Sequence, residues 1–254
     1  LNEKFTLTEM QKAYEMIMQK KLDKRLQTKF NKALTDYHLI ADGDKVLVAL
    51  SGGKDSLFLL EMLARRSKIF VPRFTVEAVF VKMSNISYET DCGYLQQFAE
   101  SHGVKLHIIE TAFDASTDKR KTPCFLCSWY RRKAIFNLAQ QLGCNKLALG
   151  HHNDDIIHTA LMNLMFQGHL SSMPPMMRLD KMPITIIRPL CLIEECDIIQ
   201  HAVHAQYQKQ RKLCPYENTS KRTAAASLFS EMQKTNNEAR YNIWHALGYD
   251  KPNA

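Results

Sequence analysis

A glycine-rich turn interrupts an apolar run in the segment LVALSGGKDSLFLL. Its six small or polar residues can do chemistry: Ser51, Gly52, Gly53, Lys54, Asp55 and Ser56. A strand that ends in such a turn and leads into a helix points several backbone N–H groups and the helix dipole at one place, which makes an anion site. Glycine lets a phosphate approach closely because it has no Cβ, and Lys54 adds a positive charge. Asp55 suits a Mg²⁺ ion or the positioning of a nucleotide, whereas a Walker A loop has Ser or Thr after its lysine.

A second turn with polar residues lies in LALGHHNDDIIHTALMN, again between a predicted strand and a predicted helix. Because this turn should lie at the same sheet edge as the glycine loop, we predict that Gly150 and Asp155 serve the nucleotide. A structural alternative is that Asp154 caps the helix and Asp155 suits its first turn. A further alternative is a bare metal site of imidazoles and carboxylates. His152 and His158 are equally compatible with ordinary, partly buried histidines.

Three cysteines are candidates for metal or redox chemistry. Cys124 and Cys127 form a CxxC pair in TPCFLCSWYRRKA, and Cys214 follows about 90 residues later in RKLCPYE. A CxxC pair fits a redox dithiol, half of a zinc site or iron–sulfur ligation. The redox interpretation requires a thioredoxin-like context, which the sequence lacks. The other cysteines are interpreted as core or surface thiols: Cys92, Cys144, Cys191 and Cys196.

The composition is that of an ordinary globular protein. The chain has 254 residues, of which 45% are hydrophobic and 24% charged, enough for one domain with appendages. It contains no run of about 18 apolar residues, so we expect no membrane span. The first residues, LNEKFTLTEMQKAYEM, do not have the pattern of a signal peptide. We therefore expect a cytoplasmic protein whose cysteines remain thiols or bind metal.

The net charge of +8 indicates a polyanionic partner, and the distribution of the charge strengthens this interpretation. Any single basic cluster could be no more than a solvated face. Two of the three clusters, however, flank cysteines. The clusters comprise Lys20, Lys21, Lys24, Arg25, Lys29 and Lys32; Lys119, Arg120, Lys121, Arg131, Arg132 and Lys133; and Lys209, Arg211, Lys212, Lys221 and Arg222.

Strands and helices alternate in the middle of the chain. We predict strands at Val46–Leu50, Thr75–Val81, Lys105–Ile109, Lys146–Leu149 and Ile184–Ile187. We predict helices at about Ser56–Ala64, Glu89–His102, Ser128–Leu142, Asp154–Phe166 and Glu194–His204, and a loop over QGHLSSMPPMMRLDKMP. This alternation indicates an α/β fold with a doubly wound parallel sheet, which binds ligands at the carboxyl ends of its strands. The expected parts are a helical N-terminal extension (1–42), the nucleotide-binding α/β domain (43–204) and a C-terminal extension (205–254) that is helical in parts and carries Cys214.

The sequence SGGKDS resembles the loop of the PP-loop enzymes, which cleave ATP to AMP and pyrophosphate and have the adenine nucleotide alpha-hydrolase-like fold. This superfamily includes tRNA-thiolating enzymes, tRNA lysidine synthetase and amide-forming synthetases. Its members activate a carbonyl oxygen as an adenylate and displace AMP with a nucleophile. The resemblance therefore implies ATP as a substrate and adenylation as the first step.

A longer resemblance, from about Leu22 to Gln233, is to the tRNA 2-thiocytidine synthetases. It rests on LSGGKDS, PCFLCSWYRR, LALGHHNDDI, GHLSSMPP, IIRPL and LCPYENTSKR, which occur in that family's order and at similar spacing. The resemblance implies a 4Fe-4S cluster held by Cys124, Cys127 and Cys214, with one iron free to carry sulfide. It implies that ATP, with Mg²⁺, adenylates O2 of the anticodon-loop cytidine at tRNA position 32, and that sulfur replaces this oxygen. Lys54, Asp55 and Asp155 are the expected catalytic residues.

The implied partners are tRNA and a sulfur donor such as a cysteine desulfurase or sulfide, and the basic N-terminal helices could form a homodimer. The chain departs from the better-known members of the family at three positions. Arg211 stands where they have a second cysteine, and Pro215 where they have a glycine. Trp129 stands where arginine is usual. Trp129 would stack on RNA or pack in the core.

Three other functions remain compatible with the motifs. One is a PP-loop thiolase that acts on another base or on a small molecule. Another is an amide-forming ligase that uses ammonia, which would need neither the CxxC pair nor Cys214. The third is a zinc-bearing RNA-binding protein, for which an intact SGGKDS loop would be superfluous.

Overall fold

The computed structural model describes residues 7–84, 91–113, 122–180, 182–208 and 220–250. Its helices are α1 (Leu7–Asp36), α2 (Lys54–Ser67), α3 (Cys92–Ser101), α4 (Pro123–Gln141), α5 (Asn153–Gln167), α6 (Glu195–His204), α7 (Ser220–Thr235) and α8 (Ala239–Ala246). Its strands are β1 (Lys45–Ala49), β2 (Thr75–Met83), β3 (Lys105–Thr111), β4 (Lys146–Ala148), β5 (Met176–Arg178) and β6 (Thr185–Ile187).

The strands form one sheet in the order β3-β2-β1-β4-β6-β5. All neighbouring pairs are parallel except β5 and β6, which are antiparallel. From β1 the chain moves outward to β2 and β3 and then crosses to β4 on the other side of β1. The carboxyl ends of β1 and β4 therefore flank a topological switch point, the place where open α/β sheets bind ligands. The predicted doubly wound sheet is confirmed, with one antiparallel edge strand.

The central strand β1 is buried on both faces, which explains its continuous apolar sequence. Val46 and Val48 join the hydrophobic cluster that contains Phe58 of α2. Leu47 points to the opposite face and joins the cluster that contains Leu126 of α4. Helices on both faces thus hold β1 in place, and its carboxyl end is a rigid support for the glycine loop.

Both ends of the chain contribute to the core around the sheet. Leu26 and Phe30 of α1 and Trp244 of α8 belong to the same cluster as Val46. The indole N–H of Trp244 donates to the hydroxyl of Tyr37 at 3.2 Å. The helices predicted for the two extensions are present, α1 as a single helix of 30 residues. Among the residues described, none of the helices has the length and apolar character needed to cross a membrane.

The predicted loop between α5 and β6 was wrong in one part, because it contains β5. Met176 pairs with Ile187 and Arg178 with Thr185 in the antiparallel register. The strand is only three residues long and follows two prolines, so no alternating pattern marks it. Pairing with β6 alone makes it a strand.

The predicted start of α4 at Ser128 was also wrong, because the helix begins at Pro123 and includes both cysteines of the CxxC pair. Thr122 is the N-cap, and its hydroxyl accepts the N–H of Phe125 at 3.3 Å. Pro123 occupies the first helical position, where its missing N–H costs nothing. The other predicted elements are present with ends shifted by a few residues. Residues 89 and 90, predicted to start α3, lie outside the described residues.

Candidate active site

The glycine loop joins β1 to α2 and is held by the hydroxyl of Ser56. This oxygen accepts the backbone N–H of Ser51 at 3.0 Å and donates to the carbonyl of Gly53 at 2.8 Å. The hydroxyl of Ser51 donates to Ser56 Oγ at 3.1 Å. The loop is therefore ordered before a ligand binds, which reduces the entropic cost of binding.

The backbone of the loop favours an anion. Gly52 has φ +80°, in the left-handed region that glycine adopts without strain. Gly53 is the N-cap of α2 and has no side chain to cap the helix. The first N–H groups of α2 therefore remain available to a ligand, and the helix dipole favours a negative charge there.

Gly150, at the end of β4, lies directly against the start of α2. A Cβ at this position would come within 3.1 Å of the carbonyl carbon and oxygen of Asp55 and within 3.2 Å of the N–H nitrogen of Ser56. These are backbone atoms that cannot rotate away. Glycine at position 150 therefore allows the two loops to meet without displacing the backbone of α2. This contact is how Gly150 would serve the nucleotide site.

Lys54 lies between two carboxylates. Its Nζ donates to Glu195 Oε1 at 2.7 Å and lies 3.2 Å from Asp55 Oδ1. Burial alone would lower the pKa of Lys54, but the hydrogen bond to Glu195 and the two negative charges outweigh it and raise the pKa. Lys54 is therefore charged, as phosphate binding requires. No sequence motif had indicated Glu195, which lies 141 residues further along the chain.

Asp55 fits a role as a ligand of Mg²⁺. Its Oδ1 atom is buried, and no described residue gives it a hydrogen bond. The ammonium group of Lys54 lies 3.2 Å from this oxygen and offsets part of its charge, and its lone pairs remain available to a further cation. Carboxylate oxygen is also the ligand that Mg²⁺ prefers, usually together with phosphate oxygens of the substrate.

The hypothesis that Asp154 caps α5 was wrong. The N-cap of this helix is His152. The imidazole of His152 accepts the N–H of Asp155 at 3.3 Å, and the Asp155 carboxylate accepts the N–H of His152 at 3.2 Å. This reciprocal pair is a capping box built on histidine. Burial lowers the pKa of His152, although the nearby Asp55 opposes this. His152 is therefore a neutral acceptor.

Two arginines of the C-terminal extension bind the first turn of α5. Arg222 forms an ion pair with Asp155, whose side chain is 9% exposed. Arg240 donates to Asn153 Oδ1 at 2.5 Å and to Asp154 Oδ1 at 2.7 Å. Burial alone would raise the pKa of Asp154, but the hydrogen bond from Arg240 lowers it overall. Sequence reasoning had placed Arg222 only in a basic cluster and had missed Arg240.

His151 points away from this acidic group towards Arg188 of the IIRPL segment. The Arg188 Nε–H donates to His151 Nδ1 at 3.3 Å, and Arg188 Nη1 donates to the carbonyl of Pro174 at 2.6 Å. Burial, followed by the charge of Arg188, lowers the pKa of His151 to about 4. This histidine is therefore neutral, and its contact with Arg188 links the turn after β4 to the turn after β6.

Cys124 and Cys127 lie in the first turns of α4. Cys124 is exposed and Cys127 is half-buried. A spacing of three residues places both on one side of the helix, and the positive end of the helix dipole favours thiolates there. Thiolates at this spacing fit an iron–sulfur cluster. Cys214, the third expected ligand, lies outside the described residues.

The remaining cysteines are of two kinds. Cys144 and Cys191 are buried, and burial raises the pKa of both thiols, so they are inert core residues. Cys196 is exposed and Cys92 is half-buried. Within the described ranges, no three His, Cys, Asp or Glu side chains are arranged to hold a metal ion, so the bare metal alternative has no support there.

The first basic cluster divides into two halves. Arg25 forms an ion pair with Asp197 at 2.6 Å, and Lys29 forms one with Glu194 at 3.0 Å. These pairs attach α1 to the N-terminus of α6, next to Glu195. Lys20 and Lys24 lie on the exposed part of α1. Several residues of the other two clusters lie outside the described residues: Lys119, Arg120, Lys121, Lys209, Arg211 and Lys212.

A cavity of about 550 Å³ opens beside the glycine loop. Its walls come from the loop and the first turn of α2, from the outer face of α6 and from the residues that follow α6. Lining residues include Gly53, Lys54, Ile199, Val203 and Tyr207. One end is thus polar and cationic and the other apolar, which suits a molecule with phosphates at one end and a flat apolar ring at the other.

Comparisons with known proteins agree with this geometry. The profile of the PP-loop domain family matches residues 22–211. The chain is 35% identical over 240 residues to the tRNA-cytidine(32) 2-sulfurtransferase of Delftia acidovorans, covering 91% of this chain and 75% of that protein. It is 37% identical over 233 residues to the protein of the same name from Bordetella avium, covering 89% and 73%.

Among solved structures, the fold resembles the U34-tRNA thiolase NcsA from Methanococcus maripaludis, determined with its [4Fe-4S] cluster. The TM-score is 0.74 with 25% sequence identity, and the match covers 89% of this chain and 78% of that protein.

Proposed function

The chain belongs to the PP-loop family and, within it, to the tRNA-cytidine(32) 2-sulfurtransferases, and we propose from this membership how its residues divide the reaction. The protein is an ATP-dependent tRNA sulfurtransferase that replaces O2 of the cytidine at tRNA position 32 with sulfur. The observation that carries the assignment is the charged Lys54 at an ordered, uncapped helix start, at the same sheet edge as the CxxC pair.

The reaction needs two displacements. In the first, O2 of the cytidine attacks the α-phosphorus of ATP, the bond to the β-phosphate breaks and pyrophosphate leaves. In the second, a sulfur nucleophile at the oxidation level of sulfide attacks C2, the C2–O bond breaks and AMP leaves with that oxygen. No external oxidant or reductant is needed when the donor is sulfide.

The glycine loop serves the first displacement. We assign Ser51, Gly52, Gly53 and Ser56 to the backbone cradle of the phosphates, and Lys54 to their charge. We assign Asp55 to Mg²⁺, because its carboxylate lies at the start of α2 and its Oδ1, although paired with Lys54, receives no hydrogen bond from the described residues. Asp155 belongs to the same centre, since its carboxylate lies 3.4 Å from His152 Nε2, which in turn lies 3.9 Å from Asp55 Oδ1. Gly150 keeps the two turns together.

The second displacement belongs to the start of α4. We propose that Cys124, Cys127 and Cys214 hold a 4Fe-4S cluster. When bound, this cluster supplies an open iron position that can present sulfur as a nucleophile. The helix N-terminus stabilises the thiolates, and the exposure of Cys124 leaves the site accessible to a tRNA base.

The remaining assignments are also proposals. The sulfur donor is free sulfide or a cysteine desulfurase, whose persulfide sulfur is brought to the sulfide level by a thiol reductant, and the N-terminal helix α1 takes part in a homodimer. A reducing compartment in which tRNA matures suits these thiolates, so we place the protein in the cytoplasm. Residues 1–42 and 205–254 act as extensions of the nucleotide-binding domain 43–204. Leu26 and Trp244 attach them to that domain, because both side chains belong to its core.

Anaerobic purification followed by a thiolation assay tests the proposal. We expect brown protein with broad visible absorbance and formation of 2-thiocytidine and AMP from tRNA, ATP and sulfide. Colourless protein that contains zinc would instead favour an RNA-binding function. Brown protein that thiolates another base would keep the reaction and change the substrate.

A further inference from the structure

The outer face of α4 combines exposed aromatic rings with positive charge. Phe125 and Trp129 are each 43% exposed and lie one helical turn apart. Lys133 follows after another turn, and its Nζ lies 5.2 Å from the centre of the Trp129 ring. Arg132 lies on the same face, next to Lys133 in the sequence. Its Nε–H donates to the carbonyl of Ser128 at 3.2 Å.

Two tryptophans occur in the chain, and their environments are opposite. Trp244 is 6% exposed and uses its N–H in a hydrogen bond to Tyr37. Trp129 is half-exposed and makes a T-shaped contact with the neighbouring Tyr130, with ring centres 4.9 Å apart. Of the two roles that the sequence allowed for Trp129, packing in the core is therefore wrong.

We propose that Trp129, assisted by Phe125 and Lys133, is a stacking platform for an unpaired base of the substrate tRNA. This inference rests on the proposed function and adds a residue that selects and positions the substrate. Stacking on aromatic rings is the usual way in which proteins hold the splayed bases of RNA loops, and a cation over the ring strengthens the interaction.

The charge of α4 favours RNA over an apolar protein partner. The 19 residues of the helix include Arg131, Arg132 and Lys133 and no aspartate or glutamate. The aromatic rings thus lie in a positive field that attracts phosphates and repels cationic surfaces. Exposed apolar residues scattered singly need no explanation, but an aromatic pair interleaved with cations on one helix face forms a contiguous surface.

The position of the platform relative to the cysteines follows from helix geometry. Trp129 lies two residues after Cys127 and five residues after Cys124, about 3 Å and about 7.5 Å further along the helix axis. At about 100° per residue, these spacings turn Trp129 by about 160° away from Cys127 and about 140° away from Cys124, to another side of α4. A base stacked on Trp129 is therefore not the base that reacts at the cysteines, and the platform would anchor another unpaired base of the same tRNA.

Tryptophan fluorescence and tRNA affinity test the platform in the full-length holoprotein. We expect tRNA to quench the fluorescence of the wild type, and expect no quenching in Trp129→Phe, whose remaining signal comes from the buried Trp244. Trp129→Ala should bind tRNA roughly 5- to 150-fold more weakly, which is the cost of removing one base–aromatic stack. Trp129→Phe should recover most of the affinity, because phenylalanine also stacks.

Salt dependence separates stacking from charge. Trp129→Ala should leave the slope of log K against log salt unchanged, since tryptophan binds no phosphate. Arg132→Gln should lower the slope by about 0.7 to 0.9, the effect of removing one ion pair with a phosphate. Phe70→Ala is the matched control: Phe70 is 75% exposed with Arg73 over its ring at 5.4 Å, but it lies before β2, at the opposite edge of the sheet. Its replacement should change nothing.

Wild-type affinity in Trp129→Ala, or quenching that persists in Trp129→Phe, overturns the platform while the sulfurtransferase function stands, provided that the wild type binds and thiolates tRNA. A wild-type holoprotein that neither binds nor thiolates tRNA overturns both. Loss of affinity in Trp129→Ala with recovery in Trp129→Phe and an unchanged salt slope supports the platform.

Discussion

Two helices of this protein begin beside the site, and their first turns differ. The start of α2 is half-buried and held by the Ser56 hydroxyl, with no side chain as cap. The start of α4 is capped by Thr122 and carries the exposed Cys124. Because β3 and β4 are parallel members of the sheet, α4 runs back from the carboxyl edge, so both starts lie at that edge.

The difference shows how one helix start can suit the phosphates of a nucleotide and another a metal cluster that is bound by side chains. At α2 the proposed binding groups are the uncapped N–H groups, so a side-chain cap would compete with phosphate. At α4 the proposed ligands are side chains, so the backbone can be capped without loss. The glycine loop is ordered by its own hydrogen bonds, whereas the proposed cluster site at α4 would also need Cys214, a residue far along the chain.

The largest effect should follow from loss of a proposed cluster ligand at α4. We expect Cys124→Ala and Cys214→Ala to lose most of their iron and all thiolation, while retaining ATP binding at α2. Iron content, visible absorbance and nucleotide affinity measure this. Cys196→Ala is the control, because Cys196 is also an exposed thiol but lies on α6. Full iron and normal activity in Cys214→Ala would contradict the three-cysteine ligand set.

The converse change at α2 should spare the cluster. Lys54→Ala removes the charge that faces the phosphates, and Asp55→Asn removes the proposed ligand of Mg²⁺. We expect AMP formation in the presence of tRNA to fall by roughly 100- to 1,000-fold, as when one preorganised electrostatic group is removed. The visible spectrum should remain that of the wild type. AMP formation at the wild-type rate in either variant would remove these residues from the nucleotide site.

Features that depend on residues close together in the sequence could be predicted, whereas contacts between residues far apart in the sequence could not. Glycine turns after apolar runs are local patterns, so the positions of Ser51–Ser56 and Gly150 at the sheet edge were predictable. The start of α4 was missed because Thr122 and Pro123 look like a loop, although a Thr-Pro pair is also a signal for a helix start.

Long-range partners could not be predicted. Glu195 meets Lys54 across 141 residues, and Arg240 meets Asp154 across 86. No periodicity or spacing connects such residues, because only the packing of α6 and α8 brings them to the site. The histidine cap of α5 was missed for a related reason: Asp is the commoner N-cap, and the burial that keeps His152 neutral is a tertiary property.

An intermediate effect should follow from replacing Gly150, which lies against the backbone at the start of α2. Gly150→Ala would press a methyl group against the backbone of Asp55, so we expect the free energy of unfolding to fall by about 1–3 kcal/mol and ATP binding to weaken. Gly53→Ala is the control, because Gly53 has φ −79° and its Cβ would meet only Ser51 Oγ at 3.6 Å. It should unfold like the wild type and impair only phosphate binding. Equal stability of both variants would contradict the steric role of Gly150.

The smallest effect concerns the basic cluster of α1, which the ion pairs divide. Neutralising Lys20, Lys21 and Lys24 should lower the salt slope of tRNA binding by about 0.7 to 0.9 for each phosphate that is no longer neutralised, with stability unchanged. Neutralising Arg25 and Lys29 should instead leave the slope unchanged and loosen α6, because their partners are Asp197 and Glu194. The side chain of Arg25 is 51% exposed, so this decrease in stability should be small.

Two outcomes would contradict this division of the cluster. An unchanged salt slope in the variant without Lys20, Lys21 and Lys24 would mean that the exposed half of α1 is only a solvated face. A reduced slope in the variant without Arg25 and Lys29 would show that RNA competes with the carboxylates for these two cations.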